Sequence, residues 1–155
     1  MTSTINLTTE PEIVTRPAIH YLYIEKLGNI PANAPGAWHE AEKFAAKIAA
    51  VGQIIGASAL YKCGPDIYRA GYILAQRPAS VLDGLSYEEV PGGKYVKFVL
   101  HGPYSQLPQA TPRAFQIVEE KQIQLRDGFN IENYVTDPRT TPQEDSITEI
   151  MFPTA

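Results

Sequence analysis

Glu132 and Tyr134 lie two residues apart in the run Ile131-Glu132-Asn133-Tyr134-Val135, whose alternation suits a β-strand. In a strand that spacing puts a carboxylate and a phenol on one face. Such a pair supports two kinds of chemistry. An ionised carboxylate among aromatic rings complements an organic cation. A carboxyl whose pKa is raised by burial, beside a hydroxyl, serves as a general acid or base. The chain has nine tyrosines in 155 residues, and Tyr21, Tyr23, Tyr68, Tyr72 and Tyr95 also fall in extended runs. Tyrosine offers flat apolar area plus a hydroxyl, suited to gripping planar organic molecules. Trp38 has two readings, an anchor for a helix in the core or one wall of a binding cleft.

Other chemistry finds little support. His20, His39 and His101 are not at helical ligand spacing, and the one cysteine, Cys63, is remote from them, so no metal or cofactor is expected. Cys63 reads as a small buried side chain. There is no phosphate loop, nucleophile elbow or serine–histidine constellation.

The elements that must position these residues repeat. Pro17, Tyr21 and Gly28 recur as Pro91, Tyr95 and Gly102, each pair 74 residues apart. Both halves, about 12–75 and 86–153 of a single domain spanning 1–155, run strand, glycine turn, helix, strand and a last strand. In the first half these are a strand over about 12–26, a loop or lid over Pro31–Gly36, a helix over Trp38–Val51 ending at Gly52, and strands Ile54–Tyr61 and Ile67–Leu74. In the second they are strands Tyr87–Val90 and Lys94–Leu100, a helix from Thr111-Pro112 to about Leu125 with Gly128 as its stop, and strands Ile131–Thr136 and Ser146–Phe152. The sum is an α+β fold with an eight-stranded antiparallel sheet and two main helices on one face. Val96, Phe98 and Leu100 should pack on the helices, as should Leu22 and Ile24, which turns Tyr21, Tyr23 and Tyr95 to the helix-free face. If Ile131 and Val135 point inward, Glu132 and Tyr134 join them there, with Tyr68 and Tyr72 as further candidates. The same offset sets Glu132 against Ser58.

Composition bounds the partners. The chain is 44% hydrophobic and 19% charged, with a net charge of -4 and no basic cluster, which argues against direct nucleic-acid binding. No apolar run is long enough to span a membrane. The polar N-terminus, Met1 to Thr9, lacks the order of a secretory signal, and a single cysteine suits a cytoplasmic protein.

The second half resembles the GyrI-like family, the effector-binding domains that occur alone or fused to AraC- and MerR-type bacterial regulators. The matching pieces are Pro91-Gly92-Gly93-Lys94-Tyr95, Gly102-Pro103-Tyr104, Glu132-Asn133-Tyr134 before Asp137-Pro138, and Thr148-Glu149-Ile150 before Phe152-Pro153. The first half matches through its extended start, Trp38 and the Tyr68–Leu74 strand, where members often carry an acidic residue and this chain has Ala70. The resemblance implies two βαββ-type units related by a pseudo-two-fold, with a ligand cleft. It makes Glu132 the central acidic residue that meets cationic drugs, with Tyr95, Tyr134, Trp38 and Tyr21 as aromatic walls; strand alternation adds Tyr23 and Tyr72 as candidate ligand contacts. The implied function is a stand-alone binder of hydrophobic or cationic compounds, for drug or toxin sensing or sequestration. The alternative is a hydrolase of cyclopropane-type or other electrophilic toxins using the same glutamate and a tyrosine, Glu132 and Tyr134. The duplicated unit consumes the chain, so a regulatory role would run through a protein partner, such as a regulator or, as in some relatives, gyrase.

Overall fold

A computed structural model describes residues 5–155; the first four residues of the polar N-terminal stretch lie outside it. The fold is α+β, with two α-helices and nine strands in antiparallel ladders among the described residues. The chain divides into two compact units, Arg16–Gly93 and Lys94–Ala155, the latter joined by the N-terminal residues up to Thr15.

In the first unit, β3 (Ile19–Leu27), α1 (Ile30–Val51), β4 (Ile54–Lys62) and β5 (Ile67–Leu74) form one βαββ unit, with β5 between β4 and β3. β6 (Ser86–Val90) adds to the free side of β3. The second unit repeats this with β7 (Gly93–His101), α2 (Leu107–Glu120), β8 (Asn130–Tyr134) and β9 (Ile147–Pro153), where β9 lies between β8 and β7. β1 (Asn6–Leu7) and β2 (Glu12–Arg16) add to the free side of β7. β2 leads into the first unit yet pairs with the second, and β6 leads into the second yet pairs with the first. These two arms begin 74 residues apart, at Glu12 and Ser86, and each ends in a proline, Pro17 or Pro91.

The duplication reaches the backbone. Gly28 and Gly102 close β3 and β7 with φ of 103° and 153°, values that an L side chain resists. Each donates its N–H to the carbonyl just before the unit's last strand, Gly28 to Asp66 and Gly102 to Ser146, both at 2.9 Å. Both helices carry proline at their second and sixth positions, Pro31 and Pro35 in α1, Pro108 and Pro112 in α2. Those pairs are 77 residues apart, three more than the strand offset. The extra three residues are the 3₁₀ turn Tyr104–Gln106, which the first unit lacks.

Several expected elements shift. The first extended run breaks at Pro17-Ala18 into β2 and β3, because proline has no N–H for a ladder. Pro31–Gly36 is the first turns of α1, not a loop or lid: Asn29 caps it by accepting from the Ala32 N–H at 3.0 Å, and Pro31 sits where no N–H partner is needed. α2 likewise starts at Leu107, not Thr111. It stops at Glu120, where Gln122 takes the left-handed φ of 56° expected of Gly128. Cys63 is exposed on the β4–β5 turn, with its thiol pKa raised first by desolvation and then by Asp66.

In the second unit, Val96, Phe98 and Leu100 of β7 and Ile150 and Phe152 of β9 pack on Ala110, Ala114, Ile117 and Val118 of α2. Phe115 stacks on Phe152 at 4.0 Å between ring centroids. In the first unit, Leu22 and Ile24 share the α1 side of the sheet with Ala70 and Tyr72, opposite them on β5. Trp38 of α1 meets Tyr72 edge-on at 6.3 Å.

Candidate functional site

Register decides which face each candidate occupies. Glu132 is opposite Ile150, which is opposite Phe98, and Tyr134 is opposite Thr148, which is opposite Leu100. Phe98, Leu100 and Ile150 form the core under α2. Glu132 and Tyr134 therefore lie on the helix side of the sheet, not on the helix-free side. The inward direction expected for Ile131 and Val135 misled because both faces of this strand are covered. Ile131 and its partner Met151 are each 2% exposed on the opposite face, while Val135 is exposed beyond the strand.

The tyrosines expected on the helix-free face divide in two. Tyr21, Tyr23 and Tyr95 do point there, but they are buried. The Tyr21 hydroxyl donates to the Ser58 carbonyl at 2.6 Å, its ring stacks on Tyr23 at 5.1 Å, and burial raises its pKa well above the ordinary value. Arg69 covers Tyr23 at 4.4 Å from the ring centroid and pairs with Glu25 at 2.8 Å and Glu88 at 3.2 Å. Arg126 covers Tyr95 at 5.1 Å. Tyr68 and Tyr72, by contrast, lie on the α1 side, where the Trp38 indole N–H donates to the Tyr68 hydroxyl at 2.8 Å. Trp38 and Tyr72 are half-buried and keep accessible edges.

The second unit brings together a polar cluster at Glu132. The Tyr134 hydroxyl donates to Glu132 Oε1 at 2.9 Å. Tyr104, on the inserted 3₁₀ turn, meets the Tyr134 ring edge-on at 5.4 Å and 74°, and its hydroxyl makes a long 3.4 Å contact to the Thr136 carbonyl. Thr148, fully buried across the ladder from Tyr134, leaves its hydroxyl without a partner among the described residues. Glu132 is half-buried by accessible surface yet enclosed by protein, and desolvation raises its pKa against the lowering effect of the Tyr134 hydrogen bond. Among the described residues it has no cationic partner.

Tyr104 and Thr148 fall in the stretches that carry the family resemblance but are not among the residues expected at the site. The three-residue surplus between the two proline pairs marks the insertion that carries Tyr104. Thr148 has no signal beyond its place in that stretch and in a strand.

The histidines stay apart from this cluster: His20 contacts the Tyr87 hydroxyl at 2.7 Å, and His39 and His101 are exposed. No helix is long and apolar enough to cross a membrane among the described residues.

Residues 9–155 match the family model of the GyrI-like small molecule binding domain. The chain belongs to that family. Solved structures agree on the fold of this GyrI-like domain. The C-terminal domain of EcmrR superposes with a TM-score of 0.79 at 14% identity, covering 94% of this chain and 97% of that one. SAV2435 bound to tetraphenylphosphonium gives 0.74 at 14% identity, covering 94% of both chains. A hydrolase from Listeria innocua gives 0.59 at 14% identity, covering 95% of this chain and 92% of that one. No curated protein matches the GyrI-like chain.

Proposed function

We propose that this protein is a cytoplasmic binder of hydrophobic organic cations, sensing or sequestering them, with Glu132 as the counter-charge. The observation that carries the reading is a half-buried carboxylate with a tyrosine hydroxyl on it and, among the described residues, no cationic partner. An ionised carboxylate removed from water is costly unless it is paired, so an aromatic-flanked one favours a cationic guest. Tyr134 and Tyr104 supply aromatic surface beside it in the second unit. The family and the SAV2435 complex with a lipophilic phosphonium support the ligand class.

The test is calorimetric titration of tetraphenylphosphonium against neutral triphenylphosphine oxide. Glu132→Gln should weaken the phosphonium by about tenfold or more and leave the oxide nearly unchanged. Equal losses for both ligands, or none for either, would sink the proposal.

A second reading rests on the Glu132–Tyr134 hydrogen bond and on the hydrolase among the structural neighbours. Glu132 would take a proton from water as the water oxygen bonds to a strained carbon. The bond that breaks would leave its electron pair to be protonated by the Tyr134 hydroxyl. Turnover of a cyclopropane-bearing alkylator by wild type but not by Glu132→Gln, with affinity retained, would favour this reading.

A further inference from the structure

The polar cluster differs from the matching place in the first unit by one insertion. The helix prolines fix the alignment: Pro31 and Pro35 correspond to Pro108 and Pro112, so the residues between Gly102 and α2 exceed those between Gly28 and α1 by three. Those three make the 3₁₀ turn that carries Tyr104. The Tyr104 ring is set edge-on against Tyr134, and its hydroxyl reaches the backbone carbonyl of Thr136, two residues beyond Tyr134. Tyr134 in turn is the group whose hydroxyl sits on Glu132. Among the described residues Tyr104 makes no hydrogen bond to Glu132 itself, so whatever it does to the carboxylate passes through Tyr134.

Three observations separate this contact from ordinary packing. Tyr104, Tyr134 and Glu132 are all half-buried, so the chain of contacts opens on accessible space and is not sealed in the core. The residue across the ladder from Tyr134 is Thr148, fully buried, whose hydroxyl has no partner among the described residues. The phenol of a tyrosine swings about χ1 and χ2, and an edge-on ring is one of the few contacts that restricts both.

We propose that Tyr104 is a positioning residue that holds Tyr134 with its hydroxyl on Glu132, and thereby sets how strongly the site prefers cationic over neutral aromatic ligands. This rests on the reading of Glu132 as the counter-charge. A carboxylate that accepts a fixed O–H bond keeps its charge in place for an incoming cation, and a neutral ligand of the same shape gains nothing from it. The inserted turn is therefore a specificity element, supplied to one unit only.

The experiment measures the ratio of affinities for tetraphenylphosphonium and triphenylphosphine oxide in the full chain. Tyr104→Ala should lower that ratio roughly three- to tenfold, the scale of one aromatic edge contact. Tyr104→Phe keeps the ring and should restore the wild-type ratio. In a Tyr134→Phe background Tyr104→Ala should change the ratio no further, because the group it positions has gone. A wild-type ratio in Tyr104→Ala, or the same loss in the Tyr134→Phe background, overturns the assignment. Should Tyr104→Ala fail to fold, Tyr104→Leu fills the space without an aromatic edge, and a wild-type ratio there also overturns it. Glu132→Gln separates the two ideas. If it keeps the cation preference, the underlying reading fails. If it loses the preference while Tyr104→Ala keeps it, only the role of Tyr104 fails.

Discussion

The two units are copies, and register aligns them residue by residue. Tyr21 is opposite Ile73 and Tyr95 is opposite Pro153, so β5 and β9 correspond at an offset of 80. On that basis Tyr72 matches Phe152, and Trp38 matches Phe115 through the proline pairs. Each unit thus has the same helix-to-strand aromatic contact, Trp38 on Tyr72 and Phe115 on Phe152. The polar positions have diverged. Tyr68, which accepts from Trp38, corresponds to Thr148, which has no such donor because Phe115 replaces the indole. Glu132 is opposite Ile150, whose counterpart Ala70 is opposite Ala59, so the match of Glu132 is Ala59 and not Ser58. Arg69 corresponds to Glu149, which pairs with Lys97 at 3.4 Å and accepts from Asn133 at 2.8 Å. Packing constrains the aromatic contact in both copies. Charge and hydrogen bonding are free to be assigned to one.

The comparison can be broken most forcefully at the aromatic pair. Phe152 is fully buried against Phe115 and Phe98, so Phe152→Ala should cost about 3–5 kcal/mol in urea unfolding. Its half-exposed counterpart should cost less, about 1–3 kcal/mol for Tyr72→Ala. Equal losses would mean the two contacts do not play matching roles. The polar counterparts should differ in sign. Tyr68→Phe leaves the Trp38 N–H without its acceptor and should destabilise by about 1 kcal/mol, whereas Thr148→Val removes an unpaired hydroxyl and should be neutral or slightly stabilising.

The smallest effect is a slope. Burial raises the folded pKa of Glu132 above its unfolded value, so between the two the folded state binds more protons. Stability contributed by this group is full below the ordinary carboxylate pKa and is lost as pH rises through the raised one. Unfolding of wild type minus Glu132→Gln should show that decline with rising pH. A difference that does not vary with pH would contradict the burial.

Most of the fold was legible because strands and turns declare themselves locally. Gly28, Gly102 and the alternation of β7 needed no tertiary context. The helices start earlier than expected, because Pro31 reads as a loop residue until the Asn29 cap makes it the first turn of α1, and α2 already begins at Leu107 behind a 3₁₀ turn. The pairing of Glu132 with Tyr134 followed from period-two spacing alone. Their face did not, since alternation says which side chains share a side and only the register with β9 says which side it is. Tyr21, Tyr23 and Tyr95 show the same limit from the other direction: correctly grouped, they proved to be buried.

The crossed arms carry a consequence for how such a site arises. A pair of identical half-length chains that traded β2-like arms would have to bear the carboxylate twice or not at all. Tandem fusion lifts that obligation, because a mutation then strikes one copy and spares its image. Glu132 matched by Ala59, and Tyr104 on a turn with no twin, are places where the two copies now differ. One half of the molecule is left to conserve the architecture while the other is free to explore chemistry.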